Sequence, residues 1–195
     1  MSQLGLFTGN IRDALAPWDA ALPSSPSTFY RANQPRLGLY DDASDTGSVS
    51  LTTQVMTSVP IKLAAGDIIT NISFVSGATA AGTPTNWWFA LYSSAATPAL
   101  LAQTADQLTG AWAAFTVQTK ALATAQTISS TGIYWAAIMV KATTVPTLLG
   151  SLGVKPIVTG ERNLSQSSGA ALTTTAPATI ATPTVKNFVP YVVLT

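Results

Sequence analysis

Few residue types in this chain can do covalent chemistry. There is no histidine and no cysteine among 195 residues, which removes a Ser–His–Asp relay, thiolate nucleophiles, disulfides and thiolate metal sites together. Hydrolysis of a glycosidic bond needs two carboxyl groups flanking one bond. Glu161 is the sole glutamate, and its conceivable partners Asp67 and Asp106 sit in ordinary turn contexts, "AAGDI" and "TADQL" against "TGERN". No glycine-rich GxxxxGK[ST] phosphate loop is present. The residues therefore predict a protein that is not an enzyme.

Asp41, Asp42 and Asp45 in "YDDASDTGS" form the one acidic cluster. Hard carboxylate oxygens suit Ca²⁺, but the spacing does not match an EF-hand loop and no glutamate follows at the required place. A solvated turn before the first long strand is the expectation, with no metal and no cofactor. "GERN", residues 160–163, reads either as a hairpin tip with a surface ion pair or as a contact to a neighbouring subunit.

Aromatic residues offer a different chemistry, that of binding. In "TNWWFALYSSA", residues 85–95, strand alternation puts Trp87, Phe89 and Leu91 on one face and Trp88, Ala90 and Tyr92 on the other. The first set is expected in the core. Trp88 and Tyr92 are then expected on the outer face, because the Tyr92 hydroxyl can stay wet there. Two readings are open for that pair: packing against core or subunit, since Trp and Tyr anchor interfaces, or a platform that stacks on a sugar ring.

The elements that must position these residues are mostly strands. Hydrophobic residues make up 47% of the chain and charged residues only 9%, against roughly a quarter charged in an average globular protein. Thr, Ser and Ala replace the missing Lys and Glu, which favours strands and turns. "DIITNISFVS" alternates, with Ile68, Ile72 and Phe74 on one side and Ile69 and Val75 on the other; "WAAFTVQTK" alternates too. "GIYWAAIMV" is apolar on both faces, as a central strand would be. Turn signals at "AAGD", "SGATAAGTPTN", "QLTG" and "SSTG" separate them. The pattern predicts a mainly β fold, an antiparallel β-sandwich over residues 49–195.

Residues 1–48 differ. Ile11, Leu15, Trp18 and Leu22 recur with helical spacing, Asn10 can cap the segment, and Pro17 limits it to a short helix. The proline-rich stretch that follows reads as an extended arm. Near the other end, "SQSSGAALTTTAPATIATPT" is low in complexity and is expected to be a long loop threaded over the surface. "NFVPYVVLT" is expected to be a final strand, with Pro190 at an edge.

Nine basic and eight acidic residues leave a net charge of +1 with no basic stripe, so nucleic acid is not an expected partner. The longest apolar run, "IYWAAIMV", is far short of the ~20 residues that cross a bilayer. The N-terminus lacks the regions of a signal peptide, and the expectation is a protein made in the cytoplasm. Near-zero charge gives little colloidal repulsion, which suits incorporation into an assembly.

Residues 64–150 carry the ordered pattern "AGDIITNISFVSG", "WFALYSS", "LLAQTAD", "W…F", "GIYWAAIMV" and "PTLLG". This resembles a module in virion proteins of tailed phages, those infecting actinobacteria above all. The resemblance covers a little under half the chain. It implies a jelly-roll-like β-sandwich on the virion surface, of the kind seen in minor tail proteins, fibres and head decoration proteins, and it supplies no catalytic residues. Carried onto this chain, it marks Trp88, Tyr92 and Trp112 as surface-contact positions. Phe7, Ile11, Leu15 and Trp18 are the expected anchor to a capsid or tail protein. The expected partners are other virion proteins and further copies of the chain, a trimer among the options, with a host surface glycan as the rival partner.

Overall fold

A computed structural model describes residues 31–33, 51–153, 155–157 and 159–195. The fold is mainly β, and no α-helix occurs among the described residues. Among the described residues twelve strands run in order: β1 Arg31–Ala32, β2 Met56–Leu63, β3 Ile68–Val75, β4 Asn86–Tyr92, β5 Leu100–Gln103, β6 Val117–Thr127, β7 Gly132–Lys141, β8 Gly150–Leu152, β9 Gln166–Ser168, β10 Thr184–Val185, β11 Phe188–Pro190 and β12 Val192–Leu194. They form a six-stranded sheet, β10-β9-β2-β7-β4-β5, a four-stranded sheet, β1-β12-β3-β6, and a small pair, β11-β8. All the strand pairings are antiparallel. The pairs β2–β7, β3–β6 and β4–β5 nest inside one another along the chain and fall alternately in the large and the smaller sheet.

Central position explains the apolar character of β7. It lies between β2 and β4, and both of its faces are buried. Tyr134, Ala136, Ile138 and Val140 join Val59, Ile61, Leu63, Trp87, Phe89 and Leu91 in the main core, together with Ile69, Ile72, Phe74, Leu122, Val192 and Leu194 of the smaller sheet. The two sheets thus share one hydrophobic interior. Phe74 and Phe89 meet across it with ring centroids 4.9 Å apart, within the range of favourable aromatic pairs.

The turn "AAGD" works as its residue types require. Gly66 adopts φ +90°, and the Asp67 carboxylate accepts a hydrogen bond from the Ala64 amide at 2.8 Å. Positive φ at that position suits glycine because it has no Cβ.

In β3 the structure corrects the sequence-based alternation. Ile69, not Ile68, is in the core, and Ile68 is 54% exposed. The register shifts between Ile69 and Asn71, where the amides of Thr70 and Asn71 both donate to the Thr195 carbonyl at 2.6 and 2.8 Å. One extra residue in the strand reverses which side chains face inward. A second correction concerns "WAAFTVQTK", of which only the part from Val117 onward is strand. Residues 112–116 instead close on Ser76: its Oγ donates to the Ala113 carbonyl at 2.6 Å and accepts from the Thr116 amide at 2.9 Å. Phe115 is thereby turned outward, 63% exposed with φ +50°.

The C-terminal run divides at Tyr191. Phe188–Pro190 pairs with β8, and Val192–Leu194 pairs with β3 on one side and β1 on the other. Pro190 ends the short β11 where it costs no sheet hydrogen bond in β12, whereas β12 itself lies inside the four-stranded sheet. Asn33 fastens this junction, its side-chain amide donating to the Pro190 carbonyl at 2.8 Å and its side-chain oxygen accepting from the Val192 amide at 3.0 Å. Residues 31–33 of the expected arm therefore belong to the sheet.

Candidate functional site

Trp88 and Tyr92 share a face opposite Trp87, Phe89 and Leu91, as alternation requires, and that face is the outer one of the six-stranded sheet. Of the two readings open for the pair, packing in the core is the one their burial fits, and the surface-contact reading is overturned: both are fully buried, and Trp112, the third expected contact residue, is 1% exposed. With Met56, Trp135, Ala137 and Met139 they form a second apolar cluster, closed by Ala176 and Ile180. The physical reason is a strap. Residues 169–183, the low-complexity stretch, run across the outer face and cover it.

Backbone carbonyls let this segment of small Ala, Thr and Pro residues seal an aromatic surface. The Trp88 indole N–H donates to the Thr173 carbonyl at 2.7 Å, and the Tyr92 hydroxyl to the Pro177 carbonyl at 2.8 Å. Gln103 grips the strap twice, donating to the Thr174 carbonyl at 2.7 Å and accepting from the Ala176 amide at 2.6 Å. Backbone bonds extend the seam: Leu172 N to Gln54 O, Leu100 N to Ala178 O and Ile180 N to Pro98 O, at 2.9–3.0 Å. Buried Trp and Tyr need partners for their polar ends, and the strap supplies them. Burial also pushes the Tyr92 phenol above its usual range.

Trp112 is buried on the other side of the sheet. Its ring lies 5.2 Å from that of Trp87 and 5.8 Å from that of Phe89, and its indole donates to the Thr116 carbonyl at 2.9 Å. Trp87 donates to the Gly110 carbonyl at 2.8 Å, with the Lys120 amine 5.1 Å from its ring centre. None of the three expected contact residues is an exposed platform.

A cleft of about 440 Å³ opens where the strap ends. Its walls come from the β4–β5 connection (Thr97, Pro98), the strap (Ile180, Pro183), the 161–166 segment and Trp135 on β7. "GERN" thus forms part of a cleft wall. Glu161 and Arg162 are exposed at it, and Glu161 accepts a hydrogen bond from the Ile157 amide at 2.7 Å. The Asn163 side-chain amide donates to the Gln166 side-chain oxygen at 2.8 Å. Trp135 is 4% exposed, and its indole N–H has no hydrogen-bond partner. A buried donor without a partner carries a free-energy penalty unless water or a ligand meets it.

The carboxylates are dispersed. Asp106 is a structural acceptor, taking hydrogen bonds from the Asn86 side chain, the Trp87 amide and the Leu108 amide at 2.6, 2.9 and 3.2 Å. Asp67 serves its turn. Neither lines the cleft with Glu161. Among the described residues no group of three or more Asp, Glu, His or Cys could hold a metal ion, and no helix is long and apolar enough to cross a membrane. Phe7, Ile11, Leu15 and Trp18, the short helix they define, and Asp41, Asp42 and Asp45 lie outside the described residues.

Trp135 and the strap were not singled out by sequence reasoning as parts of a site. Trp135 sits in "GIYWAAIMV", where a fully apolar strand hides any one functional face. The strap could have been matched to the aromatic pair by asking what covers two large side chains on an outer face. No protein-family model and no curated protein matches the chain.

Proposed function

We propose that this chain is a non-enzymatic structural protein of a tailed-phage virion, a minor tail or head-decorating protein that exposes a jelly-roll-like β-sandwich at the particle surface. The nested pairing of β2–β7, β3–β6 and β4–β5 supports the jelly-roll reading, because a long antiparallel hairpin rolled into two sheets pairs its strands in this way. The observation that carries the functional reading is the closure of the domain. Four tryptophans, Trp87, Trp88, Trp112 and Trp135, are at most 4% exposed, and the covering strap is built from Ala, Thr and Pro. The aromatic residues serve the interior, which suits a rugged body carried on a particle better than an open aromatic platform.

In this reading the segment before Arg31 is the attachment arm, with Phe7, Ile11, Leu15 and Trp18 as its anchor, and the protein works as a homo-oligomer beside other virion proteins. Purified particles labelled with a gold-conjugated antibody to this chain test the assignment. Label on the head marks a decoration protein and label on the tail a minor tail protein; particles without label overturn the proposal. Deleting residues 1–22 should abolish incorporation while leaving the β domain folded, and full incorporation of the truncated chain would remove the anchor from the account.

A further inference from the structure

We infer that the cleft between the β4–β5 connection, residues 161–166 and the end of the strap is a binding site for a short neutral saccharide. This goes beyond the virion assignment and does not depend on it. It also differs from a stacking platform at Trp88 and Tyr92, which the strap covers.

Size and mixed chemistry support the inference. A volume of about 440 Å³ lies within the roughly 300–1,000 Å³ of small-ligand sites. Pro98, Ile180 and Pro183 give apolar surface, while Glu161, Arg162 and Asn163 give acceptors and donors on one wall. Sugar hydroxyls both donate and accept, and the faces of a sugar ring carry C–H groups, so such a ligand uses both kinds of surface. The carboxylate and guanidinium stand on adjacent residues and offset one another in charge, which argues against an anion or a cation and for a neutral ligand. Hydrogen bonds to either charged group are the strong kind.

A buried polar group in the cleft wall, the unpaired indole N–H of Trp135, gives a second, independent pointer. Besides the indole N–H of Trp135, the buried hydroxyls of Ser58 and Ser168 lack partners. Register puts Ser58, opposite Gln166, and Ser168, opposite Met56, on the same outer face as Trp135, opposite Pro60, though neither serine lines the cleft. Gln166 and Trp135 both reach the cleft. Trp135 lines the cleft with its indole N–H buried and unpaired, so a saccharide seated there changes the surroundings of that donor.

Nuclear magnetic resonance of the full chain tests this through the tryptophan indole N–H signals. The probes are cellobiose, lactose, maltose and N,N′-diacetylchitobiose, with digalacturonic acid as the anionic comparison. The Trp135 signal, assigned by its loss in Trp135→Phe, should shift with at least one neutral disaccharide, while the Trp88 and Trp112 signals stay in place and report an intact fold. Arg162→Ala and Asn163→Ala should each weaken that binding about tenfold, the equivalent of one hydrogen bond at ~1.4 kcal/mol. Silence with all four neutral probes, a shift that both variants retain, or a shift with digalacturonic acid alone would overturn the inference. The gold-label result stands whichever way this falls.

Discussion

At the scale of single residues, Trp88 and Tyr92 show how an outward-facing side chain becomes core. Trp88→Ala removes a fully buried indole and leaves the Thr173 carbonyl without its donor. It should lower unfolding stability by about 3–5 kcal/mol, as large-to-small core changes do, measured by urea denaturation; an exposed tryptophan would lose less than 1 kcal/mol. Tyr92 adds a pH signature. Its folded-state pKa is raised by burial, so above about pH 10 the unfolded chain releases a proton that the folded chain retains. Stability contributed by the neutral phenol is complete below that pH and is lost as pH climbs toward the folded value. The fall in stability above pH 10 should be shallower in Tyr92→Phe than in the parent, and equal slopes would remove Tyr92 as its source. Strand parity placed Trp88 and Tyr92 on the correct face. It could not tell that the face is covered, because coverage depends on a segment about 85 residues away, as the Trp88–Thr173 bond shows.

At the scale of elements, the strap is the part whose stability can be separated from the rest. It forms no long strand and is held by point contacts: Gln103, the Trp88 and Tyr92 donors, and the buried Ile180. Gln103→Ala leaves the Ala176 amide and the Thr174 carbonyl without side-chain partners, a loss of about 1–3 kcal/mol for the buried part. Hydrogen exchange should rise selectively at Ala176 and its strap neighbours while β7 amides keep their protection, since local openings are independent of global unfolding in weakly packed segments. Equal loosening of β7 would mean the strap and sheet open as one unit. Element types were well legible in the sequence where periodicity was unbroken, as in "NWWFALY" and "GIYWAAIMV". The β3 bulge was not, because it is fixed by the Thr195 carbonyl, a long-range partner that no local pattern contains. The strap's course was equally hidden: small Thr, Ala and Pro residues carry no periodic signal, and their role lies in backbone carbonyls that any sequence has.

At the scale of the molecule, Asn33 joins the first described segment, residues 31–33, to the C-terminal strand β12. Its amide binds the Pro190 carbonyl and the Val192 amide across separations of 157 and 159 residues, and its own backbone amide donates to the Val192 carbonyl at 3.2 Å. The sequence changes texture near residue 48, but nothing in it marks this closure, since one asparagine in a proline-rich stretch looks like any turn residue. If residues before Arg31 attach the domain to a particle, pulling on them would load the β1–β12 pairing first and the Asn33 bonds directly behind it. Asn33→Ala should therefore cost about 1–3 kcal/mol through the two part-buried groups it orphans, visible as a lower urea midpoint with an unchanged slope. Hydrogen exchange adds the location: the Val192 amide should lose protection while the β2–β7 ladder at the centre of the large sheet keeps its own. A variant with parent-like stability and an unchanged Val192 would show that β12 is held by its strand pairings alone, and that residues 31–33 lie beside it without being fastened by the Asn33 side chain.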